Sequence, residues 1–335
     1  VLKTIEKYHL IVISSTVLPG DMEKIIHHLE NLSGRSCGED FGICYNPDFI
    51  ALGNIVDDFL NPDMVLIGES DFKAGDLLQK IHEVTVENDP TFHRMSYHNA
   101  ELAKIALNSF CTLKITFANV LAEICENMPN GDAFAVTNAI GDDVRVGNKY
   151  LRPGLGYGGP CFPRDNKAFD YSSGLFNVHN TFAELTHTIN KYHSNVRLPQ
   201  KIKKILDDVD INDISILGVT YKDNTTLIEE SSSLMIVKSL LKNKVKVKLY
   251  DPAGMPEAKK ALSEFKNIQY CENMNEAILN SKVCFIGTHW KEFSSLNNNE
   301  VISSMLESPI IIDGCGVIKE GTLPSAKIIK IGVNK

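Results

Sequence analysis

Basic residues are in the minority in this sequence of 335 residues, which has 34 Lys and Arg against 42 Asp and Glu and a formal net charge of −8. The chain therefore lacks the excess of positive charge that proteins use to bind nucleic acid or an anionic membrane surface. It also has no run approaching the roughly 18 apolar residues of a membrane span. We expect no nucleic-acid or membrane partner, and any anionic ligand must be held by local groups.

Cysteine pairs and metal-binding spacings are absent as well. The eight cysteines are scattered, with no CxxC pair and no zinc-finger spacing. This pattern favours a reducing, cytoplasmic setting. His27 and His28 are adjacent and must diverge on a helix, while His187 and His193 lack the i, i+4 spacing of two facing ligands. No metal site is therefore expected.

Strand and helix signals alternate in two separate series along the chain. Hydrophobic residues make up 43% of the sequence and charged residues 23%, which is typical of a globular protein long enough for two domains. Short β-branched runs predict strands, amphipathic stretches between them predict helices, and their alternation indicates parallel α/β sheets. The predicted strands are 9–14, 42–45, 64–68, 214–219, 245–250, 283–287, 310–313 and 328–331.

A region of different character separates the two series. Between residues 99 and 126, apolar residues recur at three- and four-residue steps without Pro or Gly, which predicts one long amphipathic helix. Residues 152–165 contain four Gly and three Pro, a composition that favours an ordered loop whose backbone can approach a ligand. Residues 181–194 predict another helix, and residues 196–200 predict a linker.

Five motifs, in this order and spacing, resemble the UDP-glucose/GDP-mannose dehydrogenase family over essentially the whole chain. They are Ser15-Thr-Val-Leu-Pro-Gly20, Asn46-Pro-Asp-Phe49, Lys104-Ile-Ala-Leu-Asn108, Gly156-Tyr-Gly-Gly-Pro-Cys-Phe-Pro-Arg-Asp165 and Gly218-Val-Thr-Tyr-Lys222. The resemblance implies two Rossmann-like, doubly wound parallel-sheet domains joined by a long central helix that also forms a homodimer. It divides the chain into part of an NAD-binding domain (1–95), a central dimerisation and catalytic region (96–195) and a UDP-sugar-binding domain (196–335).

One feature of the family is missing from the first domain. That domain normally begins with a strand and a GxGxxG turn that seats the NAD pyrophosphate, and residues 1–95 contain no such turn. Compared with the family pattern, we expect the first domain to be incomplete and to lack roughly its first hundred residues. Two explanations stay open: the sequence is a piece of a longer enzyme, or it is a natural truncation that does not bind NAD.

Cys161 in the glycine-rich loop is the candidate nucleophile. Oxidising a primary alcohol to a carboxylate takes two hydride transfers, and a covalent hold on the intermediate aldehyde stops its escape. The resemblance implies that the Cys161 thiol forms a thiohemiacetal, which is oxidised to a thioester and then hydrolysed. A lone cysteine is more often a small buried apolar residue, an interpretation that fits the other seven. A loop rich in Gly and Pro, however, is a poor place for a core residue.

Further catalytic residues are implied by the motifs. Lys104 and Asn108 are four residues apart and so share one helix face. The resemblance gives the lysine acid–base or oxyanion-stabilising work and the asparagine a positioning role, whereas the alternative is a solvated polar stripe. Thr16 and Asp165 match the pair that activates water for thioester hydrolysis, although a Thr after a strand is otherwise a helix cap. Asp48 stands where the family has a Glu, in a general-base or substrate-contact role.

The resemblance assigns a second set of residues to the substrate. Arg145 matches an arginine that reaches the substrate of the neighbouring subunit, and would otherwise form an ordinary surface ion pair. Tyr157, Gly158 and Gly159 match stacking and backbone contacts to the nucleotide sugar. Lys222 is expected to bind the sugar from the second domain, or else to be a surface charge next to a helix.

Several positions concern the cofactor. Thr16 and Arg164 are expected near NAD, with Arg164 replacing a common Lys. Leu52 replaces a common Glu, and Glu229 replaces the Arg of an Arg-Glu-Ser triplet; both positions face the cofactor in many members. Their loss puts the usual nicotinamide contacts in question. Asp251 is not expected to be a ribose-binding acid, because no GxGxxG turn precedes it.

The sequence thus predicts an NAD-dependent nucleotide-sugar 6-dehydrogenase for polysaccharide biosynthesis. Its substrate would be a UDP-sugar, of the UDP-glucose or UDP-N-acetylhexosamine type, whose C6 alcohol is oxidised to the carboxylate. One alternative is a catalytically silent nucleotide-sugar-binding or dimerisation module without the cofactor half-domain. Another is a single-step β-hydroxyacid dehydrogenase of related architecture, in which Cys161 would be dispensable.

Overall fold

The chain divides into two compact units. Unit 1 consists of Val1–Ser109 and Lys167–Asn180, and unit 2 of Phe110–Asn166 and Thr181–Lys335. The computed structural model describes residues 2–4, 7–50, 53–179 and 181–334. The three-part division with boundaries after residues 95 and 195 stays a prediction.

Unit 1 contains a four-stranded sheet in the order β1-β2-β3-β4. Its strands are β1 His9–Ile13, β2 Phe41–Tyr45, β3 Met64–Glu69 and β4 Thr91–Ser96, and its helices are α1 Asp21–Ser33, α2 Ile55–Leu60 and α3 Phe72–Thr85. β1 and β2 are parallel, as are β3 and β4, but β2 and β3 are antiparallel. The antiparallel pair is a detail that the pattern of strand and helix signals did not predict.

The carboxyl ends of β1 and β2 lie at one edge of this sheet, because the parallel register pairs Ile13 with Tyr45. Tyr45 and Ile43 of β2 are fully buried and pack with Met22 of α1, which fixes that helix on the sheet. The loops that carry Thr16 and Asp48 leave the sheet from this edge. In α/β sheets, ligands bind outside the carboxyl ends of the strands.

The predicted long helix is α4, Tyr97–Asn127, with 31 residues. By length and composition α4 could cross a membrane, since one 18-residue window has a mean hydropathy of 1.4. Half of that window is buried inside the protein, and the core helix of a soluble protein passes the same test. α4 is therefore weak support for a membrane span, and the absence of a membrane partner stays a prediction.

Unit 2 contains a parallel six-stranded sheet in the order β10-β9-β8-β5-β6-β7. Its strands are β5 Asp213–Leu217, β6 Lys246–Tyr250, β7 Ile268–Tyr270, β8 Val283–Ile286, β9 Ile310–Asp313 and β10 Lys327–Lys330. The order reverses between β5 and β8, which is the topological switch point where such domains bind ligands. Two Rossmann-like domains and a long central helix confirm the predicted fold class.

The remaining helices include one turn of unusual geometry. Residues His193–Arg197 form a π-helical turn between α7 and α8, and Lys291–Asn297 form a 3₁₀ helix. The α-helices are α5 Ala133–Gly141, α6 Phe162–Leu175, α7 Phe182–Tyr192, α8 Leu198–Asp208, α9 Ser232–Lys242, α10 Met255–Ala261, α11 Met274–Ile278 and α12 Asn299–Ile302.

Two predicted irregular segments are partly or wholly helical. α6 begins at Phe162, so the last four residues of the predicted loop 152–165 belong to a helix. Pro163 is compatible with this because it lies in the first turn, where the missing N–H has no helical partner to lose. The predicted linker 196–200 is the junction of the π-helical turn with α8, where Pro199 again occupies the first turn.

Candidate active site

Asn46 anchors the turn that follows β2 in unit 1. Its main-chain N–H donates to the carbonyl oxygen of Ile13, and its side-chain Nδ2 donates to the carbonyl oxygen of Leu66, each at 2.9 Å. The remaining amide oxygen, Oδ1, lies 2.9 Å from Nε2 of His82 on α3. Because Oδ1 can only accept, His82 carries a proton on Nε2 and donates it. The turn is thereby tied to β1, β3 and α3.

Asp48 follows two residues later and is held close to a cation. Nζ of Lys104 donates to the main-chain carbonyl oxygen of Asp48 at 2.5 Å and lies 4.4 Å from the ring centroid of Phe49. Loss of solvation raises the pKa of the Asp48 carboxyl, and the charges of Lys104 and His82 offset only part of this rise. A carboxyl with a raised pKa next to an ammonium group is suited to proton transfer.

Lys104 is not part of a solvated stripe. Its side chain is buried, and so is that of Glu101, one turn earlier on α4. The Glu101 carboxylate accepts the main-chain N–H groups of Gly20 and Met22 at 2.8 and 2.7 Å, at the start of α1. Asn108 is half-buried one turn after Lys104 on the same helix. The burial of Lys104 and Glu101 is what the solvated-stripe interpretation does not explain.

In unit 2, Cys161 lies directly before α6. Its carbonyl oxygen accepts the main-chain N–H of Asp165 at 2.8 Å, which makes it the first hydrogen bond of the helix. The Cys161 thiol and the Asp165 carboxyl are therefore one helical turn apart. The Asp165 side chain is fully buried and accepts a hydrogen bond of 2.8 Å from Nε of Arg164. Arg164 is thus engaged with Asp165, and its predicted contact with NAD stays a prediction.

Cys161 differs from the other cysteines in its exposure. It is exposed, whereas the other seven are buried or half-buried. Burial raises the thiol pKa of six of these: Cys37, Cys44, Cys111, Cys271, Cys284 and Cys315. Since the thiolate is the nucleophile, these six thiols are poorly placed to react.

Side chains distant in sequence hold the backbone of the glycine-rich loop. Asn119 of α4 accepts the N–H of Gly154 at 3.0 Å and donates to the carbonyl oxygen of Leu155 at 3.1 Å. Asn190 of α7 accepts the N–H of Tyr157 and donates to its carbonyl oxygen, both at 2.9 Å. These clamps were not predicted, because an Asn inside a helix gives no local signal of a remote backbone partner.

A further clamp comes from Ser232 at the start of α9, whose hydroxyl donates to the carbonyl oxygen of Gly156 at 2.9 Å. The spacing of Gly154, Gly156 and Gly159 matches the letters of a GxGxxG motif. No strand directly precedes these glycines, and the backbone groups of the loop are bound by protein side chains. The loop is therefore a rigid support for Cys161 and not a dinucleotide turn.

Tyr157 is buried in a polar network of unit 2. Its hydroxyl accepts Nδ2 of Asn166 at 2.9 Å, and Asn166 also exchanges hydrogen bonds with Thr112. Burial is the main reason that the pKa of Tyr157 is raised. The buried Tyr157 ring therefore belongs to the packing that supports the loop. Stacking of Tyr157 on a nucleotide sugar stays a prediction.

Gly158 and Gly159 are required by contacts inside unit 2. A Cβ on Gly158 would lie 2.3 Å from the carbonyl oxygen of Glu230, and one on Gly159 would lie 2.6 Å from the Tyr221 ring. Gly159 also has φ +79°, which disfavours other residues. Tyr221 was not predicted as a site residue. Its phenol pKa is raised by burial and, to a smaller extent, by the nearby Cys161.

Lys222 follows Tyr221 at the carboxyl end of β5, next to the switch point, and is half-buried. Nearby, Asp251 is saturated by the protein: one carboxylate oxygen accepts the N–H groups of Val219 and Thr220 at 2.7 and 3.0 Å, and the other accepts those of Ala253 and Gly254. Asp251 therefore holds loops together and has little capacity left for a ribose.

Of three further predicted positions, two are exposed at the surface and one lies outside the described residues. Arg145 is exposed, and its guanidinium donates to the Asp143 carboxylate from Nε at 3.0 Å and from Nη2 at 2.6 Å. Glu229 is exposed, and its carbonyl oxygen accepts the N–H of Gly159 at 3.0 Å. Leu52 lies outside the described residues. Within the described ranges, no group of three His, Cys, Asp or Glu residues is placed to hold a metal ion.

The edge formed by β1 and β2 is the part of unit 1 where a ligand is expected, but among the described residues it offers no free helix N-terminus for a phosphate. The N-terminus of α1, where a phosphate would bind, is already occupied by the carboxylate of Glu101. The loops after the two strands present the hydroxyl of the half-buried Thr16 and the carboxyl of Asp48 at the carboxyl ends, where a ligand is expected. The predicted contact of Thr16 with NAD stays a prediction.

Three family models match the chain. They describe the UDP-glucose/GDP-mannose dehydrogenase family: its NAD binding domain at residues 1–86, its central domain at 98–192 and its UDP binding domain at 215–320. The UDP-glucose 6-dehydrogenase of Rickettsia felis is 36% identical over 314 residues, which cover 92% of this chain and 67% of that protein. The enzyme of the same name from Rickettsia conorii is 36% identical over 328 residues, 96% of this chain and 72% of that protein.

Solved structures show the same fold. A UDP-glucose dehydrogenase from Pyrobaculum islandicum has a TM-score of 0.82 and 26% identity, covering 100% of this chain and 73% of that one. A UDP-D-ManNAc dehydrogenase from Pyrococcus horikoshii has a TM-score of 0.81 over 99% of this chain and 74% of that one, and at 24% identity it supports the fold alone.

The match of the NAD binding domain to residues 1–86 corrects one prediction. The expectation that the first domain lacks its N-terminal part is not borne out, because that domain's family model is present. The missing GxGxxG turn was therefore a poor guide to whether the domain is there. By these matches over most of its length, the chain belongs to the UDP-glucose/GDP-mannose dehydrogenase family.

Proposed function

We propose that the chain oxidises the C6 alcohol of a UDP-sugar to the carboxylate in two NAD-dependent steps. The observation that carries this proposal is the position of Cys161: an exposed thiol one helical turn before the buried carboxyl of Asp165, in a chain of this family. Bound NAD accepts the hydride of each oxidation. The chain's own residues supply proton transfer, the covalent hold and the activation of water.

In the first oxidation, Asp48 takes the proton of the C6 hydroxyl. A raised pKa makes its carboxyl a better base near neutral pH than an ordinary aspartate. Lys104, held by the Asp48 carbonyl and unable to turn freely into solvent, stabilises the negative charge that develops on O6. Asn108, on the same helix face, orients that oxygen. The product of this step is the aldehyde.

In the second oxidation, the Cys161 sulfur bonds to the aldehyde carbon and the thiol proton passes to O6, which gives a thiohemiacetal. Loss of hydride from the same carbon, together with release of the O6 proton to solvent, gives a thioester on Cys161. Asp165 then takes a proton from a water molecule that Thr16 helps to orient, and the water oxygen attacks the thioester carbon. The C–S bond breaks, the proton on Asp165 passes to the sulfur and regenerates the thiol, and the product leaves as the carboxylate after losing its remaining proton to solvent.

We assign the nucleotide of the substrate to the carboxyl ends of β5 and β8 in unit 2. The match of the UDP binding domain to residues 215–320 and the switch point between these strands support this assignment. Lys222 provides a cation next to this edge for the sugar or a phosphate. UDP-glucose is the first candidate substrate and a UDP-N-acetylhexosamine the second.

We also propose a homodimer formed through the unit 2 part of α4. Phe110, Phe117 and Ile124, spaced by seven residues on this helix, are exposed to 61%, 49% and 54%. An exposed apolar stripe of this kind marks an interaction surface. Arg145, an exposed cation in the same unit, would reach the partner subunit's substrate.

A panel of nucleotide sugars tests the proposed function. The protein is supplied with NAD and, separately, with UDP-glucose, UDP-N-acetylmannosamine and GDP-mannose, and NADH absorbance is followed. NADH formation with a UDP-sugar supports the proposal, and none with any of the three contradicts it. The silent-module alternative has no support from the comparisons, in which a model of the NAD binding domain matches residues 1–86.

A further inference from the structure

His193 is buried in the π-helical turn between α7 and α8 and carries none of the catalytic roles proposed above. Its Nε2 lies 2.8 Å from the carbonyl oxygen of Gly154, and its Nδ1 lies 3.0 Å from Nη1 of Arg197. A carbonyl only accepts and a guanidinium only donates, so Nε2 carries the proton and Nδ1 accepts. The ring is therefore neutral, with a single possible tautomer and orientation.

Arg197 fixes the ring of His193 from the opposite side. The arginine is nearly fully buried, and its Nη2 donates to Oε2 of Glu126 on α4 at 2.6 Å. Oε1 of Glu126 accepts Nζ of Lys201 at 2.8 Å and the N–H of Gly332, next to β10, at 2.7 Å. This chain of hydrogen bonds connects α4, α8 and the last strand of unit 2 with the carbonyl group of Gly154.

The π-helical geometry makes the two contacts of His193 possible. The N–H of Leu198 bonds to the carbonyl oxygen of His193, five residues earlier, so the turn is wider than an α-helical one. π-helical turns are rare and are frequent at functional sites. Here the wide turn lets His193 and Arg197, four residues apart, bond to each other while Arg197 also reaches Glu126.

We propose that His193 is a positioning residue for Cys161: through Gly154, and backed by Arg197 and Glu126, it holds the glycine-rich loop in the form that presents the thiol. This inference rests on the proposed function of Cys161. His193 holds the carbonyl group of Gly154, while Asn119, Ser232 and Asn190 hold the N–H of Gly154 and the backbone groups of the next three residues. It is backed by the ion pair of the buried Arg197 with the partly buried Glu126.

Two substitutions of His193 separate positioning from packing. His193→Gln keeps a donor for Gly154 and an acceptor for Arg197, whereas His193→Leu fills the space with neither. We expect kcat for NADH formation to fall roughly 10- to 100-fold in His193→Leu, because small displacements of a reacting group have large effects on rate. KM for the nucleotide sugar should change less than about threefold, and His193→Gln should recover most of kcat.

Hydrogen exchange of the full chain gives a readout that needs no turnover. In His193→Leu, amides of residues 154–161 should exchange at least roughly tenfold faster than in the wild-type protein, and in His193→Gln they should not. Should the wild-type protein oxidise no nucleotide sugar, the proposed function fails, but the exchange experiment still decides whether His193 holds the loop.

Arg197→Lys provides the second variant in case His193→Leu does not fold. Lysine keeps a cation beside Glu126, but it lacks the planar guanidinium group that donates to His193 and Glu126 at the same time. Faster exchange at 154–161 and a lower kcat in Arg197→Lys support the proposal. Unchanged exchange and unchanged kcat in whichever of the two variants folds would overturn it, as would a His193→Gln variant as impaired as His193→Leu.

Discussion

The carbonyl oxygen of Cys161 accepts the main-chain N–H of Asp165 at 2.8 Å, so that the first hydrogen bond of α6 sets the distance between an exposed thiol and a buried carboxyl. The geometry of one α-helical turn is nearly the same in every protein, with about 3.6 residues per turn. The covalent step and the hydrolytic step that follows it are thus assigned to groups held by one rigid element.

Replacing Cys161 should separate the two oxidations. We expect Cys161→Ala to lose carboxylate formation by at least about 10³-fold, because no thioester can form. Product analysis by mass spectrometry, with the nucleotide-sugar carboxylate quantified against time, measures this. Cys37→Ala, which removes a half-buried thiol whose pKa is raised by burial, is the matched control and should keep wild-type activity. Full carboxylate production by Cys161→Ala would instead favour a mechanism without a covalent step.

Lys104→Met should lower kcat by roughly 10²- to 10³-fold, the effect of removing one preorganised donor from a developing oxyanion. Methionine fills the same buried space, so the melting temperature should change little. Lys24→Met, at an exposed lysine of α1, is the control for the loss of a positive charge. Steady-state kinetics with saturating NAD give the comparison, and equal kcat values for the two variants would exclude Lys104 from the chemistry.

Asp48→Asn should lower activity without lowering stability. Because the folded-state pKa of Asp48 is raised, the native protein binds the proton more tightly than the unfolded chain, and stability falls as pH rises through this range. Asparagine removes that effect at neutral pH. Urea unfolding at pH 7 should show a free energy of unfolding no smaller than that of the wild type, together with a kcat lower by roughly 10²-fold or more. A large loss of stability would indicate that the Asp48 charge is structural.

His193 should make the protein sensitive to mild acid. Burial, helped by Arg197, lowers the pKa of His193 to about 4 from an ordinary value of 6.5. Between these values the unfolded chain binds more protons than the native protein, so stability is lost as pH falls from 6.5 towards 4. We expect the wild type to lose about 2 kcal/mol more than His193→Gln between pH 7 and pH 5. Equal losses in urea titrations of the two proteins would contradict a buried, neutral His193.

A single added positive charge tests the proposed dimer interface on α4. Phe117→Lys should shift the protein from dimer to monomer in sedimentation velocity, because a lysine in an apolar interface is strongly unfavourable. Val84→Lys, at a valine of α3 that is 85% exposed, controls for added charge. A wild-type protein that is already monomeric, or a Phe117→Lys variant that stays dimeric, would contradict the proposed interface.

The sequence was sufficient for elements whose signals are local. The long helix was predicted at 99–126 and observed at Tyr97–Asn127, because an uninterrupted helical periodicity over 28 residues has no other common explanation. Another local signal is the serine before α9, since the Ser231 hydroxyl accepts the N–H of Leu234 as its N-cap. Prolines in first turns misled the prediction at 162–165 and 196–200.

The sequence was insufficient where a residue acts on a distant part of the chain. Asn119, Asn190 and His193 lie within helical segments, and nothing nearby indicates that their partners are backbone groups of residues 154–157. The burial of Tyr157 in a network with Asn166 was likewise not predicted, and its stacking on the substrate stays a prediction. In both cases the decisive contact joins residues that only the tertiary fold brings together.

The central claim is a double oxidation at one carbon, and the ratio of products tests it most directly. With a limiting, weighed amount of a UDP-sugar and excess NAD, total NADH and total sugar consumed are measured in the same reaction. We predict that two molecules of NADH form for each molecule of UDP-sugar consumed. A ratio of one would show that oxidation stops at the aldehyde and would contradict the account.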